Sequence, residues 1–99
     1  MENTYQLTDN TASKRFQIEV DGHLAIVEYI LAEDRIFLTH TEVPAALGRR
    51  GIGSALVKSV LEEVEKRNLT LIPLCPFVAS YIKKYPEWKK LVLKGINIE

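Results

Sequence analysis

The sequence predicts a mixed α+β fold: an antiparallel three-strand meander, then a glycine loop, a helix, a parallel strand and a second helix. Three observations carry that prediction. Residues 15–43 contain three strand-like runs separated by tight-turn residues. Residues 51–67 hold one long amphipathic helix pattern, and the β-type run 69–75 returns after it. A strand that follows a helical crossover lies parallel to the strand before it, joined right-handedly.

Taken in order, residues 1–13 are mostly polar and read as frayed, with Tyr5 and Leu7 available to pack. Phe16, Ile18 and Val20 alternate with Arg15, Gln17 and Glu19, the period-2 signature of a half-buried strand. Asp21-Gly22 is a type I′ hairpin signal, and the second strand runs from about His23 to Leu31. After the short connection Ala32-Glu33-Asp34, the third strand is expected over 35–43, ending where Pro44 cannot donate to a ladder. In the helix, Ile52, Leu56, Val60 and Val64 repeat every four residues, and Ala55, Val57 and Leu61 widen the buried stripe. Glu62 with Lys66 and Glu63 with Arg67 are i,i+4 pairs on the wet side, and Asn68 suits a left-handed cap. Pro73 is awkward in a central strand and implies that the two parallel strands splay apart near their ends. Pro76 opens a second helix with Phe77, Val78, Tyr81, Ile82 and Tyr85 on one face, and Pro86 ends it. A short helical turn and an extended tail are expected over 87–93.

The stretch 42–54 (Glu-Val-Pro-Ala-Ala-Leu-Gly-Arg-Arg-Gly-Ile-Gly-Ser) stands where the first helix begins. Glycines admit positive φ and close approach of a ligand, and the first amides of a helix have no intrahelical partners. With the helix dipole and two arginines, such a loop attracts phosphate. Two familiar phosphate loops fail on spacing. A dinucleotide fingerprint beginning at Gly51 needs Gly or Ala where Leu56 stands. A Walker loop running from Gly48 to Gly53 needs Lys next, and Ser54 is there instead.

Composition narrows the class. Ninety-nine residues, 46% of them hydrophobic, suit one small globular domain. Thirteen basic and thirteen acidic residues give no global field for nucleic acid, and no basic stripe carries interleaved aromatics. The single Cys75 excludes an internal disulfide. One cysteine and two distant histidines, His23 and His40, match no zinc spacing. With no apolar leader and no run near the roughly 18 residues of a membrane span, a cytoplasmic location is expected. No nucleic-acid or membrane partner is expected, and the chain reads as a monomer or weak homodimer.

The order of strand, Val43-Pro44, loop, Gly51-Ile52-Gly53, helix, parallel strand and helix resembles the acetyl-CoA-binding core of the GNAT superfamily of N-acetyltransferases. The likeness sharpens with Thr41-Glu42-Val43-Pro44 upstream, with 73–82 (Pro-Leu-Cys-Pro-Phe-Val-Ala-Ser-Tyr-Ile) downstream, and with Pro86-Glu87. It covers about residues 14–93 and is similar to the small YidJ-type, single-domain members. The resemblance implies acetyl-CoA as cosubstrate, no metal, and an amine acceptor of unknown identity. It implies that Val43 and its neighbours offer backbone groups to the pantetheine arm, and that amides of Gly48, Arg49, Arg50, Gly51, Ile52, Gly53 and Ser54 cradle the pyrophosphate. In the commoner pattern an Arg or Gln stands three residues before the first glycine of G-x-G, often followed by Gly. Here Gly48 and Arg49 occur in the reverse order.

Acetyl transfer to an amine requires a neutral nucleophile, a polarised thioester carbonyl and a proton for the leaving thiolate. Cys75 ends a strand and precedes a helix, where the dipole favours a thiolate. It is either an acetyl carrier, a wall of the site or a buried structural cysteine. On a regular strand His40 and Glu42 share one face and Thr39, Thr41 and Val43 the other. His40 is a candidate base or an exposed strand residue. Glu42 either binds and deprotonates an incoming ammonium or is simply solvated. The resemblance implies that Tyr81 protonates the thiolate; its apolar neighbours equally suit a core tyrosine. The larger members of the superfamily build their acceptor pockets from extra N- and C-terminal elements. Little of either is present here, which leaves a shallow acceptor site, one completed by a partner, or one suited to a peptide or protein. The alternatives to an acetyltransferase are a CoA-binding module without turnover and a protein-interaction domain.

Overall fold

The computed structural model describes residues 5–48 and 51–96. Strands β1 (Thr8–Asn10), β2 (Arg15–Val20), β3 (His23–Ala32), β4 (Arg35–Glu42) and β5 (Thr70–Pro73) form one sheet in chain order. All neighbours are antiparallel except β4 and β5, which helix α1 (Ile52–Lys66) joins by a crossover. Helix α2 (Pro76–Lys84) follows β5.

Turn chemistry fixes the meander. Asp21 and Gly22 have φ of 52° and 79°, the double left-handed conformation of a type I′ turn, between the paired residues Val20 and His23. Glu33, at φ 58°, and Asp34 make a second two-residue connection between Ala32 and Arg35. Asn68, at φ 58°, closes α1: its N–H donates to the Glu65 carbonyl and that of Leu69 to the Val64 carbonyl. Those two bonds satisfy carbonyls that the helix end would otherwise leave open, in the Schellman pattern.

One face of the sheet is covered. The stripe Ile52, Leu56, Val57, Val60, Leu61 and Val64 packs with Phe16, Ile18 and Val20 of β2 and Ala25, Val27 and Tyr29 of β3. Val78 and Ile82 of α2 belong to the same core as Ile36, Leu38, Leu71 and Cys75, so both helices lie on that side. Burying each such aliphatic side chain contributes roughly 1.5–3 kcal/mol before the entropy of ordering is subtracted. Strand alternation sends Ile26, Ile30, Phe37 and Ile72 to the opposite face, outside that core, and no helix covers it among the described residues.

The N-terminal segment differs from the frayed expectation. Thr8–Asn10 pairs with β2, and Asp9 explains why. Its carboxylate accepts a 2.6 Å hydrogen bond from the Tyr29 hydroxyl and lies 3.0 Å from the Arg67 guanidinium. Arg67 in turn reaches Glu63 at 2.7 Å, as its i,i+4 spacing anticipates, and lies over the Phe16 ring. Burial, then the bond to Asp9 and its charge, push the Tyr29 phenol up to about 12. Burial alone would lower the Arg67 pKa, but its bonds to Glu63 and Asp9 leave it raised.

After α2 the chain forms a 3-10 segment, Pro86–Leu91, and Val92 then bridges Leu71 in parallel. Lys90 holds Glu65 of α1 at 2.7 Å, tying this tail to the helix layer.

Candidate active site

The site begins where β4 and β5 separate. Their register runs Arg35 to Thr70, Ile36 to Leu71, Phe37 to Ile72 and Leu38 to Pro73, and stops there. Pro73 has no N–H to donate. The Leu74 amide folds back onto the Ile72 carbonyl, and the Cys75 amide takes the Leu38 carbonyl at 2.9 Å. Beyond that last bond β5 has turned away. Strand β4 continues to Glu42 against β3 alone, and its other edge has no strand partner among the described residues. The splay anticipated from Pro73 is therefore present.

A bulge sharpens it. Tyr29 pairs with Leu38 but Glu28 pairs with His40, so Thr39 is one residue too many on β4. Its hydroxyl donates to the Glu28 carbonyl at 3.3 Å. A bulge bends its strand and shifts side-chain alternation by one position. Leu38 and Thr41 thus share the covered face, opposite Tyr29 and Val27, while His40 lies opposite Glu28 on the open one. Regular alternation, in which Ile36, Leu38, His40 and Glu42 would share a face, does not hold across Thr39.

Cys75 occupies the crotch of the splay. It is 3% exposed, precedes the first turn of α2, and donates its thiol to the Thr41 hydroxyl oxygen at 3.2 Å. On the open face His40 Nε2 lies 3.5 Å from Glu42 Oε1, both side chains more than half exposed. Tyr81 stacks on Tyr85 with centroids 4.7 Å apart. Burial, then the negative fields of Tyr85, Glu87 and Glu62, raise its pKa and keep it protonated.

The glycine loop closes the other end. After Val43-Pro44, the 3-10 turn Ala45–Leu47 drops Leu47 into the core at 1% exposure. Gly48 has φ −61°, which any residue adopts. Gly51 is different: φ 71° places it in the left-handed region directly before α1, where a side chain would be strained. No side chain caps α1 and its first turn has no acidic residue, so its leading amides keep their affinity for an anion. At Gly53 a Cβ would meet the tip of the half-exposed Phe77 ring at 2.7 Å, so a side chain there requires that ring to move. Val43, Pro44, Leu47, Gly51, Ser54 and Phe77 are among the residues that line a cleft of about 320 Å³ at this point. Arg49 and Arg50 lie outside the described residues.

The structure thus brings Val43, Gly48, Gly51, Ile52, Gly53 and Ser54 to one cleft, and sets Cys75 and Thr41 at the head of the splay. His40 and Glu42 sit on the opposite face of the sheet from that thiol. Sequence reasoning missed two contributors. Thr41 is placed beside Cys75 only by the bulge, which no local signal marks. Phe77 is set against Gly53 by the packing of α2 on α1, for which the only hint was the glycine itself.

One mixed sheet, with two parallel strands splayed beside an uncapped helix start at a glycine loop, is the arrangement that the resemblance to the GNAT core implied. The model of the family "GCN5-related N-acetyl-transferase" matches residues 15–91, and the chain belongs to that family. Among curated proteins it is similar to Protein NATD1 of Gallus gallus, 31% identical over 84 residues, covering 82% of this chain and 76% of that one. Protein NATD1 of Mus musculus is 33% identical over 76 residues, covering 74% and 69% respectively. The NMR solution structure of a GCN5-like protein from Staphylococcus aureus superposes with a TM-score of 0.69 at 27% identity, over 93% of this chain and 90% of that one. The GNAT fold expected from the sequence is the fold observed. No helix among the described residues is long and apolar enough to cross a membrane.

Proposed function

We propose that this chain is a single-domain, cytoplasmic acetyltransferase of the YidJ-type group that moves an acetyl group from acetyl-CoA to an amine. The observation that carries the reading is the free edge of β4 leading into a cleft that ends at the uncapped start of α1. The pantetheine arm lies along that edge as an extra strand, with Val43 offering backbone groups. The amides of Gly51, Ile52, Gly53 and Ser54 face the pyrophosphate, and Arg49 and Arg50 add charge from the same loop.

The amine nitrogen attacks the thioester carbonyl carbon, the N–C bond forms, and the C–S bond breaks. A proton leaves the nitrogen for His40, which Glu42 orients, and the departing CoA thiolate takes a proton from Tyr81. Burial of Cys75 and its hydrogen bond to Thr41 support a role in shaping the thioester site rather than carrying acetyl. Calorimetric titration with CoA and a CoA-release assay over a panel of amines test the reading. Binding with release only when amine is added supports it, and no binding at millimolar CoA overturns it. His40→Gln should lower release about 10²-fold or more, and unchanged release would remove His40 from its role. Incubation with acetyl-CoA and intact-mass measurement should show no adduct on Cys75. An adduct lost in Cys75→Ala would establish covalent transfer instead.

The second reading, a CoA-binding module without turnover, is favoured by the exposure of His40 and Glu42, both more than half exposed. Binding without release for every amine would select it.

A further inference from the structure

Resting on that reading, we infer that the acceptor amine is carried on an extended, apolar polypeptide segment that lies across the open face of the sheet. The face has an acidic end and an apolar middle. At the splay, Glu28, His40 and Glu42 stand together: Glu28 is directly opposite His40, and His40 is 3.5 Å from Glu42. Arg15 is the cation beside them, paired across from Glu28, and its Nε is held by Gln17 at 3.1 Å. Two carboxylates facing the splay attract a protonated amine.

The apolar middle is in direct register: Ile30 pairs with Phe37, and Phe37 with Ile72. Ile72 is 7% exposed, but Ile30 is 54% exposed and Phe37 beside it is partly exposed. Phe37 precedes His40 by three residues, roughly 10 Å along a strand. A free small amine reaches the acidic end and gains nothing from this row. A polypeptide segment bearing its amine at the splay places a side chain two to four residues away onto Ile30 and Phe37. The apolar area is of use only to an acceptor of that length. Charge complementarity selects the amine end, and the flat open face selects an extended chain over an enclosed small molecule.

The experiment compares acceptors on the full chain with acetyl-CoA saturating. CoA release is measured with butylamine, with a lysine peptide flanked by leucines, and with the same peptide flanked by glutamates. The leucine peptide should exceed both others about tenfold in kcat/KM, the scale of one well-placed apolar contact. Ile30→Asp, a change at a half-exposed position, should abolish that preference while leaving the butylamine rate and the CoA affinity unchanged. Equal rates for the three acceptors, or an Ile30→Asp variant that keeps the preference, overturns the inference while CoA binding leaves the acetyltransferase reading standing. A dimer in sedimentation that Ile30→Asp dissociates would place a second copy on this face and also overturns it. Loss of CoA binding in the unmodified chain instead removes the reading beneath.

Discussion

The two halves of β4 differ in composition, Arg-Ile-Phe-Leu against Thr-His-Thr-Glu, and do opposite work. Over 35–38 the strand is paired on both sides, to β3 and to β5, and Ile36 and Leu38 are 1% and 0% exposed. Over 39–42 it is paired on one side only, carries a bulge, and exposes His40 and Glu42. The first half contributes stability and the second contributes access. The junction is one residue wide: Leu38 is the last residue in register with β5, opposite Pro73, and its carbonyl accepts from the Cys75 amide.

That comparison can be tested from the closed half outward. Leu38→Ala should cost about 2–5 kcal/mol in urea unfolding, since it empties a fully buried position. A loss under about 1 kcal/mol would mean that the closed half does not carry the core. Tyr29, directly opposite Leu38, gives a pH signature. Its folded pKa near 12 lies above the unfolded value of 10, so its contribution is complete below pH 10 and is lost as pH rises toward 12. Stability should fall across that window, and Tyr29→Phe should flatten the slope. A wild-type profile matching the variant would contradict the Asp9–Tyr29 clamp.

At the open end, Gly53→Ala should cost about 1 kcal/mol at most, because the half-exposed Phe77 ring can give way and alanine favours the helix. Adding Phe77→Ala should recover part of that loss, and simple additivity in the cycle would show that the two positions do not meet. Thr41→Val is the smallest effect, about 0.5–1 kcal/mol, because it removes one hydrogen bond from the Cys75 thiol. A loss as large as that of Leu38→Ala would erase the distinction between the halves.

Most of the scaffold was legible in the chain. Alternation of Phe16, Ile18 and Val20, the Asp21-Gly22 turn, the four-residue repeat of α1 and the Asn68 cap are local patterns with local causes, and each stands where it was expected. Gly51 was legible for the same reason, as a backbone conformation that penalises a side chain. The Pro73 splay was readable because a missing N–H has a fixed consequence wherever it falls.

What tertiary structure decided is which of these groups meet. The β1 strand exists because Asp9 finds Tyr29 and Arg67, residues 20 and 58 positions away, and nothing in the polar run 1–13 encodes that encounter. The face on which His40 and Glu42 lie is set by the Thr39 bulge, a mismatch between two strands rather than a property of either. Gly53 meets Phe77 only because that ring arrives from another helix. Sequence by itself determined the elements and their order, since those follow from periodicity and backbone chemistry within a few residues. The meeting of Cys75 with Thr41, the cleft wall at Phe77 and the open apolar face arise only when distant segments share one core.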